Sequence, residues 1–157
     1  MYILDTNIFL DWWERRYPPD IFPSVEKAMA LLASNGIVLA PDRVRDEINH
    51  VGSIGLRTWI KKYPGIFHAH DATLQAEANT VQTKFPGLID LTATHDEADR
   101  YLIALAKLKG FSVVTHETSA KQKKKPPRTH YIPDVCMAMG IPCLNFVDLM
   151  RARGLKF

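Results

Sequence analysis

The sequence has little cysteine and no long apolar run, and both absences exclude whole classes of protein. Cys136 and Cys143 are the two cysteines among 157 residues. They form neither a CxxC pair nor a Cys/His pattern spaced for zinc, so we expect neither a disulfide framework nor a zinc site. No apolar run approaches the ~18 residues of a membrane span, and the N-terminus lacks the regions of a signal peptide. These absences predict a cytoplasmic protein with no membrane partner.

Basic charge is concentrated in one segment of the chain. The net charge is +3, from 20 Lys and Arg against 17 Asp and Glu. The segment 121–128 holds enough of these cations to leave an acidic excess elsewhere: Lys121, Lys123, Lys124, Lys125 and Arg128. Lys and Arg grouped in this way hold nucleic acid through its phosphates. The patch therefore predicts a polyanionic partner, with a solvated loop as the alternative.

Short apolar strands alternate with helical patterns over the whole chain, and we find no internal repeat or linker. The predicted strands cover residues 2–4, 37–40, 111–115 and 141–144. Helices are predicted near 8–16, 24–35, 43–50, 56–63, 72–85, 96–110, 134–139 and 145–153. The alternation is typical of an α/β protein, a three-layer α/β/α sandwich on a central parallel sheet. We therefore expect a single domain over residues 1–157.

Acidic residues lie where such a fold would bring them to one edge of the sheet. They follow predicted strands, lie near the starts of helices or, for Glu47, lie in the helix after the second strand: Asp5, Glu47, Asp99, Glu117 and Asp134. Carboxylates that converge repel one another and raise each other's pKa unless a cation lies between them. Hard divalent cations with oxygen ligands, Mg²⁺ or Mn²⁺, suit such a site. A bound metal of this kind activates water for attack on a phosphodiester.

Each of these acids also has a purely structural interpretation. Asp5 and Asp134 are common helix N-cap types, and Asp99 in a first turn would favour the helix dipole. Glu47 fits a solvated helix face, and Asp96 is better explained as the cap of the helix 96–110 than as a ligand.

At this point the pattern resembles a PIN domain. The segments that carry the resemblance are YILDTNIFL (2–10), RVRDEI (43–48), ADRYLIALA (98–106) and VVTHE (113–117), in this order. More narrowly, DIFPS (20–24), IPDVC (132–136) and FVDLMR (146–151) resemble a PIN-like family of unknown function that is similar to prokaryotic toxin ribonucleases.

The resemblance implies a Mg²⁺- or Mn²⁺-dependent nuclease that hydrolyses RNA. By position, Asp5, Glu47 and Asp99 would be the catalytic metal-site carboxylates, and Asn7 would support Asp5. Thr6 and Thr115 are further supporting candidates at the strand ends. The fourth acid is commonly Asp, whereas this chain has Glu117, with Asp134 as a rival ligand, which leaves one or two metals open.

Two hypotheses of different classes follow. The first is a metal-dependent endoribonuclease, the toxin of a toxin–antitoxin pair, with RNA as substrate, an antitoxin as protein partner and a homodimer as a further expectation. The second is a non-catalytic PIN-like module that binds nucleic acid or protein. The grouping of Asp5, Glu47 and Asp99 favours the enzyme, because a binding module does not need three acids together. A phosphohydrolase with an Asp5 nucleophile ranks third, since Asn7 stands where its second Asp would be.

Overall fold

A five-stranded parallel sheet organises the protein; our computed structural model describes residues 1–88 and 97–157. The strands are β1 (Tyr2–Leu4), β2 (Val38–Pro41), β3 (Phe67–His68), β4 (Ser112–Val114) and β5 (Cys143–Leu144). Their order across the sheet is β3-β2-β1-β4-β5, and every neighbouring pair is parallel. In register, Ile3 of β1 lies between Leu39 of β2 and Val113 of β4.

Helices connect these strands and complete the predicted three-layer α/β/α sandwich. The first, α1 (Thr6–Leu10), continues as a π-helical segment, Asp11–Arg16. The other α-helices in the described residues are α2 (Pro23–Ser34), α3 (Asp42–Val51), α4 (Ile54–Lys62), α5 (Ala72–Lys84), α6 (Asp99–Lys109), α7 (Ile132–Met139) and α8 (Phe146–Ala152). The predicted α/β class is therefore confirmed.

The differences from the sequence prediction lie at the ends of elements and at one edge of the sheet. Strand β3 was not predicted, because two residues are too few to show an alternating pattern. Helix α7 begins at Ile132, not at Asp134. Asp96, the predicted cap of α6, lies outside the described residues.

Helix α6 is the most deeply buried helix of the described residues and positions Asp99. Its residues 101–106 are all buried, which marks a helix enclosed by neighbours on every side. It packs on α5, β1 and β2. Gly110 then ends it with φ +68°, a left-handed conformation that glycine adopts without penalty. Asp99, in the first turn, is thereby fixed beside the sheet.

The strand order creates a crevice at the carboxyl ends of β1 and β4. From β1 the chain moves to β2 and β3 on one side, and it later returns to place β4 on the other side of β1. Ligands of open α/β sheets bind at such a switch point. Asp5 and Thr115 follow the two strands that flank it. None of the helices in the described residues is long and apolar enough to cross a membrane.

Candidate active site

Asp5 lies at the switch point and is almost completely buried, with 5% of its surface exposed. Its Oδ2 accepts a hydrogen bond of 2.5 Å from the Asn7 side-chain amide and one of 2.7 Å from the Thr115 hydroxyl. Because donors to a carboxylate orient it, these two residues fix the direction in which Asp5 points. The structure therefore places Asn7 and Thr115 beside Asp5, as predicted, while their functional role stays a prediction.

Asn7 and Thr115 also tie the two strand ends to each other. The Asn7 amide nitrogen donates to the Thr115 hydroxyl at 3.1 Å, and its Oδ1 accepts from the backbone N–H of His116 at 3.0 Å. The Thr115 hydroxyl also accepts from the backbone N–H of Glu117 at 3.0 Å. The start of the segment that carries Glu117 is thus held against Asp5.

Glu47 links α3 to the beginnings of two other helices. The Thr6 hydroxyl donates to its Oε2, and the backbone N–H of Ala98 donates to its Oε1 at 3.0 Å. Ala98 directly precedes α6 and is buried. A carboxylate predicted for metal binding therefore also satisfies a backbone donor at the helix start.

Asp99 and Glu117 have different immediate partners. Asp99 accepts from Nη1 of Arg128 at 3.2 Å, and the same guanidinium donates through Nη2 to Glu97 at 2.6 Å. One oxygen of Glu117, Oε2, accepts from the backbone N–H of Ile132 at 3.0 Å. Arg128, predicted to contact nucleic acid, thus forms ion pairs with two acids of the site.

A cavity of about 660 Å³ lies over these groups. The polar residues that line it include Thr6, Glu47, Glu97, Asp99, Glu117 and Arg128. Asp5 does not line it and lies buried beneath. Three of the predicted acids therefore share one cavity of ligand size with a guanidinium in its wall.

Burial raises the pKa of three acids of the site, and repulsion between carboxylates adds to it. Burial raises the pKa of Asp5 to about 7, with further contributions from the charges of Glu117 and Glu47. Burial likewise raises the pKa of Asp99 well above its usual range, assisted by the charges of Asp5 and Glu117. The pKa of Glu117 is also raised, mainly by burial. The acids are close enough to feel one another's charge, as the sequence predicted.

One carboxylate oxygen of Asp134 accepts hydrogen bonds from two backbone N–H groups. Its Oδ2 accepts from the backbone N–H of Ala120 and of Tyr131, both at 2.9 Å. Asp134 is not among the residues that line the acidic cavity. The interpretation of Asp134 as the N-cap is wrong, because Tyr131 is the N-cap and Asp134, in the first turn of α7, accepts from its N–H; a metal-binding role for Asp134 stays an untested prediction.

The basic segment 121–128 lies next to these contacts. Lys123 places its ammonium 4.2 Å from the centre of the Tyr131 ring. The side chains of Lys121, Lys124 and Lys125 are exposed. Except for Arg128, which turns into the cavity, these cations are not lining residues of the acidic cavity.

Three acidic residues near the site had not been predicted: Glu97 and Asp46, which line the cavity, and Asp11. Glu97 lines the cavity beside Asp99, and its position two residues before Asp99 was the available signal. Asp11 is buried. Its Oδ1 lies 2.9 Å from Nη1 of Arg15, and its Oδ2 lies 3.5 Å from Nε of Arg16 and 3.7 Å from Nε2 of His116. Asp11 lies in the turn that continues α1, where sequence alone does not distinguish an inward acid from a solvated one.

The acids match a hard divalent cation in ligand type but not yet in arrangement. They supply oxygen ligands, as Mg²⁺ and Mn²⁺ prefer. Within residues 1–88 and 97–157, however, no three acidic, histidine or cysteine side chains are grouped closely enough to hold a metal ion. The guanidinium of Arg128 is the group that contacts Asp99 in this arrangement.

Comparison with known families identifies the chain. Residues 2–157 match the family described as Domain of unknown function (DUF4411). The chain belongs to this family. The predicted membership in a PIN-like family of unknown function is thereby confirmed. No curated protein matches the sequence.

Three solved structures share the fold of this DUF4411 protein. VapBC2 from Rickettsia felis bound to a promoter DNA fragment is 17% identical with a TM-score of 0.53, over 92% of this chain and 98% of that one. FitAB bound to an IR36 DNA fragment is 16% identical with a TM-score of 0.55, over 92% of this chain and 94% of that one. FitAcB from Neisseria gonorrhoeae is 17% identical with a TM-score of 0.51, over 92% of this chain and 97% of that one. The predicted PIN-like fold is confirmed by these likenesses.

Proposed function

We propose that this DUF4411 protein is a metal-dependent endoribonuclease and the toxin of a toxin–antitoxin pair. The observation that carries the proposal is the convergence of Asp5, Glu47, Asp99 and Glu117 at the switch point, with raised pKa values for three of them. Such perturbed acids in a cleft are typical of a functional site. A fold that needed only stability would gain nothing from grouping them.

Mg²⁺ or Mn²⁺ would be held by Asp5, Glu47 and Asp99, with Glu117 beside the ion and Asp134 left to its backbone contacts. The cation would supply Lewis-acid activation of water and would neutralise charge on the phosphodiester. Asn7 and Thr115 hold Asp5 in one orientation, and Thr6 does the same for Glu47. The buried hydroxyl and amide donors thus preorganise the acids before substrate arrives.

Glu117 is the acid best placed to accept a proton. It lines the cavity, and a backbone N–H engages its Oε2. Burial raises its pKa, which brings a carboxylate closer to the basicity that general-base catalysis needs near neutral pH. We assign it the proton of the attacking water, and the basic segment 121–128 the phosphates of the flanking RNA.

A protein partner is part of the proposal. The similar solved structures are named as the two-component assemblies VapBC2 and FitAB. A nuclease that is toxic to its own cell needs an inhibitor, so we assign this chain an antitoxin. A homodimer is proposed as the form in which the nuclease acts.

The deciding experiment is cleavage of labelled single-stranded RNA and DNA by the purified protein in Mn²⁺ or Mg²⁺, against EDTA. We expect RNA cleavage that EDTA abolishes. Cleavage in EDTA would contradict the metal-dependent mechanism. If nothing is cut in either metal and the melting temperature does not respond to them, the non-catalytic binding module becomes the better description.

Neutralising the exposed basic segment should weaken RNA binding. The triple substitution of Lys123, Lys124 and Lys125 by Gln leaves phosphates of the RNA without a positive partner. The slope of log affinity against log salt should therefore become shallower by about 0.7 for each phosphate that is no longer neutralised. Binding is measured in EDTA, which prevents metal-dependent cleavage. A control with Lys61→Gln and Lys62→Gln on α4 should leave the slope unchanged. Equal slopes for the triple variant and the wild type would show that the segment is only solvated.

A further inference from the structure

Arg128 occupies an unusual place for a residue of a basic loop. It is the last residue of the segment 121–128, and its side chain enters the acidic cavity, where 19% of the side chain remains exposed. Its Nη1 donates to Asp99 at 3.2 Å and to the carbonyl of Leu88 at 3.2 Å, and its Nη2 donates to Glu97 at 2.6 Å. The guanidinium is therefore held at three points.

The carboxylates on the other side of this contact are equally sheltered. The side chains of Glu97 and Asp99 are 14% and 16% exposed. Ion pairs in the open contribute little, but removing one partner of a sheltered pair leaves an uncompensated charge. Arg128 thus supplies positive charge to two sheltered acids of the cavity, Glu97 and Asp99.

We propose that Arg128 and the divalent cation compete for Asp99, and that Glu97 is the residue that positions Arg128 for this competition. The inference rests on the proposed function, because it takes Asp99 as a metal ligand. When Asp99 turns to a cation, Arg128 must give up that contact. Its guanidinium then remains at the cavity wall, where a phosphate of the substrate can replace Asp99 as its partner.

Glu97 matters because it determines how firmly Arg128 stays. A guanidinium binds two acceptors in a fixed fork, and here the fork spans Glu97 and Asp99. With Glu97 neutral, Arg128 would be held less firmly over Asp99. The competition then predicts tighter metal binding, whereas simple loss of a negative charge predicts weaker metal binding.

The test is Mn²⁺ affinity measured by titration calorimetry without RNA. We expect Arg128→Gln to bind Mn²⁺ about tenfold more tightly, the gain when a competing state that is about nine-tenths populated is removed. Arg128→Lys keeps the charge but loses the fork, so it should also bind more tightly than the wild type. Lys125→Gln removes an exposed cation of the same loop and should change the affinity less than about twofold.

Glu97→Gln tests the positioning role, with Asp46→Asn, a second acid that lines the same cavity, as its control. We expect Glu97→Gln to tighten Mn²⁺ binding and Asp46→Asn to leave it equal or weaker. Thermal melting followed by circular dichroism establishes that each variant is folded. If Arg128→Gln is misfolded, Arg128→Lys and Glu97→Gln carry the test.

The outcomes separate this inference from the proposed function. Wild type that binds Mn²⁺ while Arg128→Gln and Arg128→Lys bind no more tightly overturns the competition and leaves the nuclease intact. Glu97→Gln that weakens binding as Asp46→Asn does overturns the role of Glu97. No Mn²⁺ binding by the wild type or any variant removes both the inference and the metal-dependent function.

Discussion

Asp5→Asn should abolish RNA cleavage and at the same time make the metal-free protein more stable. We expect a loss of more than about 100-fold in rate, because even residues that only support metal ligands can cost that much. Stability should rise because Asn carries no charge to bury, while its amide oxygen still accepts from Asn7 and Thr115. The measurements are RNA cleavage in Mn²⁺ and urea unfolding of the metal-free protein.

The stability gain of Asp5→Asn over the wild type should grow as the pH rises. Burial raises the pKa of Asp5 from 3.8 to about 7 in the folded protein. Between these values the folded state binds more protons than the unfolded state, so the free energy of unfolding falls as the pH rises and levels off above about 7. A shift of this size corresponds to about 4 kcal/mol at pH 8.

Asp20→Asn is the matched control for Asp5→Asn. Asp20 is exposed, so its neutralisation should leave both the cleavage rate and the pH profile of stability unchanged. Metal-free wild type and Asp5→Asn are therefore expected to have similar stability near pH 4 and to diverge towards pH 8. Parallel profiles would mean that Asp5 is ionised at little cost, and a full cleavage rate would remove it from the site.

The sequence predicted those parts of the fold that depend on local patterns. The apolar runs before Asp5 and before Thr115 show β1 and β4 because buried parallel strands are nearly continuous in apolar residues. Asp71, an N-cap of a common residue type, accepts from the backbone N–H of Leu74 at 2.7 Å and begins α5. Strand β3 could not be predicted, since two residues at a sheet edge depend on their partner Ala40–Pro41 and not on their own pattern.

In the candidate site, too, the features that depend on local patterns were predicted and the contacts between distant residues were not. Asp5, Asp99 and Glu117 were predicted to approach one another because strand ends and helix starts meet at one edge of a parallel sheet, and Glu47 was placed with them from the helix after β2; their roles stay predictions. Their partners were not all found, because hydrogen bonds and ion pairs join residues far apart in sequence. The contact of Arg128 with Glu97 depends on how the segment 121–128 folds back, and composition alone described that segment as a phosphate-binding patch.

Glu47 was predicted from the sequence as an acid of the site, and the structure adds its hydrogen bond from the Ala98 N–H. Two substitutions should separate its role in the site from its role at the start of α6. Glu47→Gln keeps an acceptor for the Ala98 N–H and a polar partner for the Thr6 hydroxyl, but it removes the negative charge. We expect cleavage to fall by more than about 100-fold, as for Asp5, while the free energy of unfolding changes little. RNA cleavage and urea unfolding provide the two measurements.

Glu47→Ala should lose the same activity and also destabilise the protein. Without a carboxylate or amide, the backbone N–H of Ala98 has no side-chain acceptor at the start of α6. Because Ala98 is buried, the unsatisfied donor should cost about 1–3 kcal/mol relative to Glu47→Gln. Equal stability of the two variants would show that Glu47 does not anchor α6, and an active Glu47→Gln would remove it from the metal site. Low activity in both variants with lower stability in Glu47→Ala alone would establish that one carboxylate both anchors the helix that carries Asp99 and supplies charge to the site.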